Sequence, residues 1–256
     1  MSTEAFVKSH IEHGINTIEF YHPQSNSLPG KILAELAHEI HFAGTHEETK
    51  VIILKSGGEK TFCSGASFDE LVSIKNEKEG LQFFTGFANV INAMRKCPKF
   101  IIGRIQGRCV GGGVGLASAV DYAIATTKAE IKLSELAVGI GPFVVGPAVE
   151  RKIGTGPFSA LAIDATSWRS TDWAKKKGLF AEVHESIENM DEAVDRLANT
   201  LAHSNPEAMA KMKKTFWAGT EHWDDLLKER AAISGKLVLS DFTKKAIEKF
   251  KSLAKQ

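Results

Sequence analysis

The sequence predicts an α/β fold in which strands joined by crossover helices form a sheet and a helical region follows. Three observations predict it. Strand-length apolar runs alternate with amphipathic helix-length segments, and one of those runs, "KVIILKS", is apolar almost throughout. From about residue 190 onward only the helical period remains. The first expected strand is "INTIEFY" (15–21), which alternates apolar and polar residues. "SNSLPGKILAELAHEIHFA" then reads as a helix with a serine or asparagine cap and Pro29 near its first turn. Ile32, Leu33, Leu36 and Ile40 share its apolar face. "KVIILKS" (50–56) is a strand of the fully buried type. In "GLQFFTGFANVINAMRKC", Phe84, Phe87, Ala88, Ile91 and Met94 recur at helical spacing, and "FIIGRIQG" returns to strand. The glycine-rich stretch "GRCVGGGVGLA" (107–117) opens another helix, and "DYAIAT" (121–126) is a further strand. "DEAVDRLANTLAHSNPEAMAKMKKTFWAG" and the segments after it carry apolar stripes among many charges. The expected organisation is therefore a core over 1–190 and a helical region over 191–256, packed on that core or on a neighbour.

Composition narrows the function classes. The chain has 256 residues, 43% hydrophobic and 25% charged, with a net charge of +1. No global field recruits nucleic acid or an acidic membrane surface. No apolar run is long enough to span a bilayer, and "MSTEAFVKSHIEHG" has no signal-peptide core, so a cytoplasmic protein is expected. Cys63, Cys97 and Cys109 are odd in number and not in metal-ligand spacing; they read as reduced thiols, with no metal site.

Glycine lets main-chain N–H groups approach a ligand with no Cβ in the way. At a helix start those N–H groups are unpaired and sit at the positive end of the helix dipole, which favours an anion or a developing oxyanion. A close helix–strand contact or a tight turn would account for three glycines equally well. The spacing fits neither a dinucleotide fingerprint nor a phosphate-binding loop. A second small-residue stretch, "KTFCSGASFDEL" (60–71), follows the buried strand and places Ser64, Gly65 and Ala66 together.

The "F-C-S-G-A" loop after one strand and the glycine triplet after the next together resemble the crotonase (enoyl-CoA hydratase/isomerase) superfamily. The likeness runs over nearly the whole chain and includes Asn26, Asp121, "SELAVGIGP" (134–142), "RKIG" (151–154), "WAKKKGLFAEV" (173–183) and "NPEAMAKMKK" (205–214). The resemblance implies a ββα spiral core with a C-terminal helical trimerisation region, and a homotrimer or a dimer of trimers. It implies a substrate carried as a coenzyme A thioester with no prosthetic group. It also implies that the N–H groups of Ala66 and Gly112 form an oxyanion hole for the thioester carbonyl, with Ser64 and Gly111 beside them. Two such donors can lower the barrier to a thioester enolate by about 3 kcal/mol each.

Hydratases of this superfamily carry one glutamate two residues past the glycine triplet and a second after the next strand. The first position here is Gly115, and the second matches Glu135 in "LSELAVG". A glutamate among apolar residues has a raised pKa that suits proton transfer near neutral pH. One such acid can hold a water and deliver the α-proton, which is hydration, or shuttle a proton between C2 and C4, which is isomerisation. The "GGGVGLA" pattern with a retained "SE" resembles hydratases of branched or carboxylated enoyl-CoAs of the 3-methylglutaconyl type; "ELAVGIGPF" resembles isomerases. A non-catalytic acyl-CoA binder, and a decarboxylase or thioester hydrolase, are the other readings.

The remaining conspicuous residues have simpler expectations. His10, His13, His22, His38, His41 and His46 read as surface residues. Asp69 and Glu70 read as partners of a helix dipole, and Asp121 as a structural acceptor. Phe250, with Lys249 or Lys251, is implied at the edge of the CoA pocket, since lysines suit its phosphates.

Overall fold

The structure, a computed structural model, describes residues 4–253, with side chains through residue 249. The large sheet holds β1 (Phe6–Glu12), β2 (Ile15–Tyr21), β3 (Val51–Ser56), β5 (Phe100–Ile105), β7 (Tyr122–Thr126) and β9 (Glu182–His184) in that order. The first pair is antiparallel and every later pair is parallel. A small parallel sheet holds β4 (Thr61–Cys63), β6 (Arg108–Val110) and β8 (Ile131–Lys132). The chain therefore alternates between sheets: β3 leads to β4, β5 to β6 and β7 to β8, with helices after each pair. That alternation is the ββα repeat expected from the sequence.

Helices α1 (Gly30–Thr45), α2 (Phe68–Ser73), α3 (Glu77–Lys96) and α4 (Gly112–Ala119) occupy the first half. They are followed by α5 (Gly146–Ile153), α6 (Thr155–Ile163), α7 (Thr171–Lys176), α8 (Ile187–Ala202), α9 (Pro206–Phe216), α10 (Trp223–Leu237) and α11 (Asp241–Leu253). Among the described residues no helix is long and apolar enough to cross a membrane.

Ile32, Leu33, Leu36 and Ile40 of α1 are buried, as their spacing requires, against a core shared with Phe84, Phe87, Ile91 and Met94 of α3. A second cluster lies where α8 covers the other apolar face of the large sheet: Met190 and Val194 pack with Val51, Ile53, Ile102 and Ile124. Helix α10 lies against α3 through two glycines, Gly80 and Gly235, whose backbones touch.

The cap of α1 differs from expectation. Pro29 occupies the N-cap with no side-chain bond. Glu70 Oε2 of α2 accepts from the Gly30 N–H at 2.7 Å instead. Proline lacks its own N–H and sets φ for the first turn, so a carboxylate arriving from elsewhere serves the next donor. Asn26, at positive φ, uses its side chain differently: Nδ2 donates to Gly57 O and Thr61 O, both at 2.8 Å, and Oδ1 accepts from His22 N.

Candidate active site

The loops that follow β4, β6 and β8 leave the C-terminal ends of three adjacent parallel strands. Cys63 lies beside Cys109, and Cys109 beside Ile131. The segments just beyond, Ser64–Ala66, Gly111–Gly112 and Ser134–Glu135, are thereby brought to one edge, the usual place for a site on parallel strands. They line a common cavity of about 90 Å³. The cysteines on these strands are not candidate nucleophiles. Both Cys63 and Cys109 are unbridged and buried, and burial pushes the Cys63 thiol up to about 12.

The 64–66 loop is pinned by Ser64 N donating to Ser25 O and Leu28 N donating to Gly65 O. It presses directly on the glycine turn: a Cβ on Gly65 would lie 2.8 Å from Val110 O and 3.1 Å from Gly112 N. Gly111 has φ +52°, a conformation closed to most side chains. A Cβ there would meet Glu135 Oε1 at 3.0 Å, which places the Glu135 carboxyl over this turn. Among the described residues, neither Ala66 N nor Gly112 N donates to a protein acceptor. Gly112 opens α4, whose eight residues are all buried, so its N–H belongs to the unpaired first turn and shares the positive end of the helix dipole.

Part of residue 135 reaches solvent, yet Oε2 is fully enclosed and has no hydrogen-bond partner. Loss of solvation raises the carboxyl from the ordinary glutamate range to about 7, against a smaller opposing pull from its own backbone N–H. A proton donor or acceptor poised near neutrality thus faces two free amide donors, an arrangement able to move a proton beside a stabilised oxyanion.

The position where a second acid is expected in hydratases is closed. A Cβ on Gly115 would lie 2.5 Å from Val145 Cγ1, so the valine of the segment before α5 fills that space. Apolar walls come from Leu71, Phe84, Phe87, Val138, Ile140 and Val144. Sequence reasoning missed Val145 and also Ser234, which reaches the wall from α10; both arrive by tertiary packing and carry no local signal. The side chains of Phe250 and Lys251 lie outside the described residues. The six N-terminal histidines form no metal cluster among the described residues. Asp121 is a structural acceptor: it receives the Ile101 N–H at 2.8 Å and the Trp217 indole N–H at 3.1 Å, and pairs with Lys213.

Comparison with known proteins agrees with this architecture. A short-chain-enoyl-CoA hydratase of Clostridium acetobutylicum is 28% identical over 77% of this chain and 74% of its own. An ethylmalonyl-CoA decarboxylase of Xenopus tropicalis is 29% identical over 52% of this chain and 45% of its own. The crystal structure of an enoyl-CoA hydratase from Bacillus halodurans superposes with a TM-score of 0.87 at 22% identity, covering 95% of this chain and 99% of that one. The Enoyl-CoA hydratase/isomerase family pattern matches residues 10–254, so this chain belongs to the enoyl-CoA hydratase/isomerase (crotonase) family.

Proposed function

We propose that the protein is a cytoplasmic enoyl-CoA hydratase. In this reading the thioester oxygen sits between the Ala66 and Gly112 N–H groups, and Glu135 is the acid/base for the α-carbon. The observation that carries it is the enclosed Glu135 carboxyl, held near pH 7 with one oxygen unpartnered, beside two amides that donate to nothing in the protein. Negative charge developing on the thioester would meet both donors, while Glu135 holds a water and returns its proton to the chain. The substrate proposed is a branched enoyl-CoA. An uncharged acyl group is favoured over a carboxylated one, because the cavity lining includes no lysine, arginine or histidine among the described residues. A trimer or dimer of trimers belongs to the same reading, and light scattering of the purified protein tests it.

Isomerisation is the second reading, favoured by Val145 in the space beside Gly115, which leaves Glu135 as the lone acid of the pair. One panel separates the readings. The protein and its Glu135→Gln variant are incubated in deuterated water with a branched 2-enoyl-CoA, 3-methylglutaconyl-CoA and a 3-enoyl-CoA. Water addition with deuterium at the α-carbon, reduced about 10²- to 10⁴-fold in the variant, is the expected result. Double-bond migration without water addition would favour the isomerase. Release of carbon dioxide or free CoA would replace both with a decarboxylase or hydrolase, and binding without exchange would leave an acyl-CoA scaffold.

A further inference from the structure

We propose that Ser234 selects acyl groups that carry an uncharged oxygen, hydroxyl or oxo, toward the end of the chain. The assignment rests on the acyl-CoA reading of the cavity. Its starting point is the crossing of α3 and α10. A Cβ on Gly80 would lie 2.5 Å from Gly235 O, and one on Gly235 would lie 2.6 Å from Leu81 N. No larger residue lets the helices meet this closely, and the closeness is what carries the neighbouring residue, Ser234, into the cavity wall.

Ser234 is 1% exposed and lines the cavity. A serine within a helix commonly satisfies its hydroxyl on the carbonyl one turn back. Ser118 and Ser159 do so here, at 2.7 and 2.8 Å. The Ser234 hydroxyl makes no such bond, nor any other to a described residue. The hydroxyl is not fully enclosed, and a ligand oxygen in the cavity would supply the partner that the protein does not.

Its place along the cavity follows from α3. Phe87 of that helix abuts the glycine turn, since a Cβ on Gly112 would meet its Cε1 at 2.3 Å. Two turns of α3, about 10 Å along its axis, separate Phe87 from Gly80, so Ser234 beside Gly235 lies toward the end of the cavity away from the glycine turn. An acyl chain of medium length, with its thioester at Gly112, ends there. The walls between are apolar, and Arg230, one turn earlier on α10, is not among the lining residues. A carboxylate at this end would be buried unpaired, whereas a hydroxyl or carbonyl would pair with Ser234.

Calorimetric binding of three saturated thioesters tests the assignment without relying on turnover: hexanoyl-CoA, the same chain with a terminal hydroxyl, and the same chain with a terminal carboxylate. The wild-type protein is expected to bind the hydroxylated chain about tenfold tighter than the plain one, the ratio one hydrogen bond supplies. In Ser234→Ala that preference falls to about twofold or less. Equal affinities in the wild type, a preference that survives Ser234→Ala, or tightest binding of the carboxylate overturns the assignment and leaves the acyl-CoA reading standing. Failure of all three to bind overturns both.

Discussion

Asp121 and Glu135 are carboxylates at opposite ends of α4, and the protein surrounds them in opposite ways. Asp121, past the C-terminal end, accepts from two N–H groups and pairs with Lys213, whose side chain is only 2% exposed. Nearby, the Lys152 ammonium donates to Val120 O and Asp121 O, where a cation suits the negative end of the helix dipole. Burial lowers that ammonium to about 8, the charge of Asp121 working against the fall. Glu135, by the first turn of the same helix, has an enclosed oxygen with no donor at all. One carboxylate is saturated and ties Trp217 and Lys213 to the core; the other is starved of partners and keeps its proton exchangeable near neutral pH. The difference teaches that burial alone does not mark a reactive acid. What marks it is burial without partners, beside donors that are themselves unused.

Substitutions at each end should break this contrast in different ways. The largest stability effect is expected from Asp121→Asn, which strands Lys213 in the interior and should cost about 3–5 kcal/mol in denaturant unfolding. Activity per folded molecule should be unchanged; a selective loss of turnover would make Asp121 part of the chemistry. Glu135→Gln should act in the opposite sense. A folded pKa near 7 against an ordinary 4.5 means that the wild-type carboxyl contributes its full stability below pH 4.5 and loses it as pH climbs through 7. The variant should therefore match the wild type near pH 4 and exceed it by up to about 3 kcal/mol at pH 8. A difference independent of pH would contradict the enclosed, unpaired state of the group. The smallest effect is expected from Gly115→Glu, which drives a side chain into Val145 and should cost about 1–3 kcal/mol. Pairing it with Val145→Gly should recover most of that loss and raise hydration of a straight-chain enoyl-CoA. Recovery of stability without any gain in hydration would show that a second acid at this position is not what limits the reaction.

The sequence was most informative where apolar period and element length coincide. β2, β3, β5 and β7, with α1, α3 and α4, all appear where their patterns put them. The small sheet was not legible, because strands of two or three residues carry no period. β1 escaped notice because "FVKSHIE" pairs along the sheet edge with a largely polar, half-exposed surface. The α1 cap was misread because its donor is served by Glu70, forty residues away. At the site, Ser64, Ala66, Gly111, Gly112 and Glu135 do line one cavity. They were visible as two loops of small residues and one acid in a recognisable order. Val145 and Ser234 were invisible, since nothing local to either distinguishes a wall residue from any other core residue.

The glycine run also bears on how such a site can diverge. A methyl group at Gly112, Gly113 or Gly115 would meet Phe87, the Cys63 carbonyl or Val145 at 2.3 to 2.5 Å. A change there displaces a neighbour in another element, and its cost falls when that neighbour changes with it. The chemistry of such a site is therefore altered at least cost through residues that merely face the turn, with the backbone cradle left as it stands.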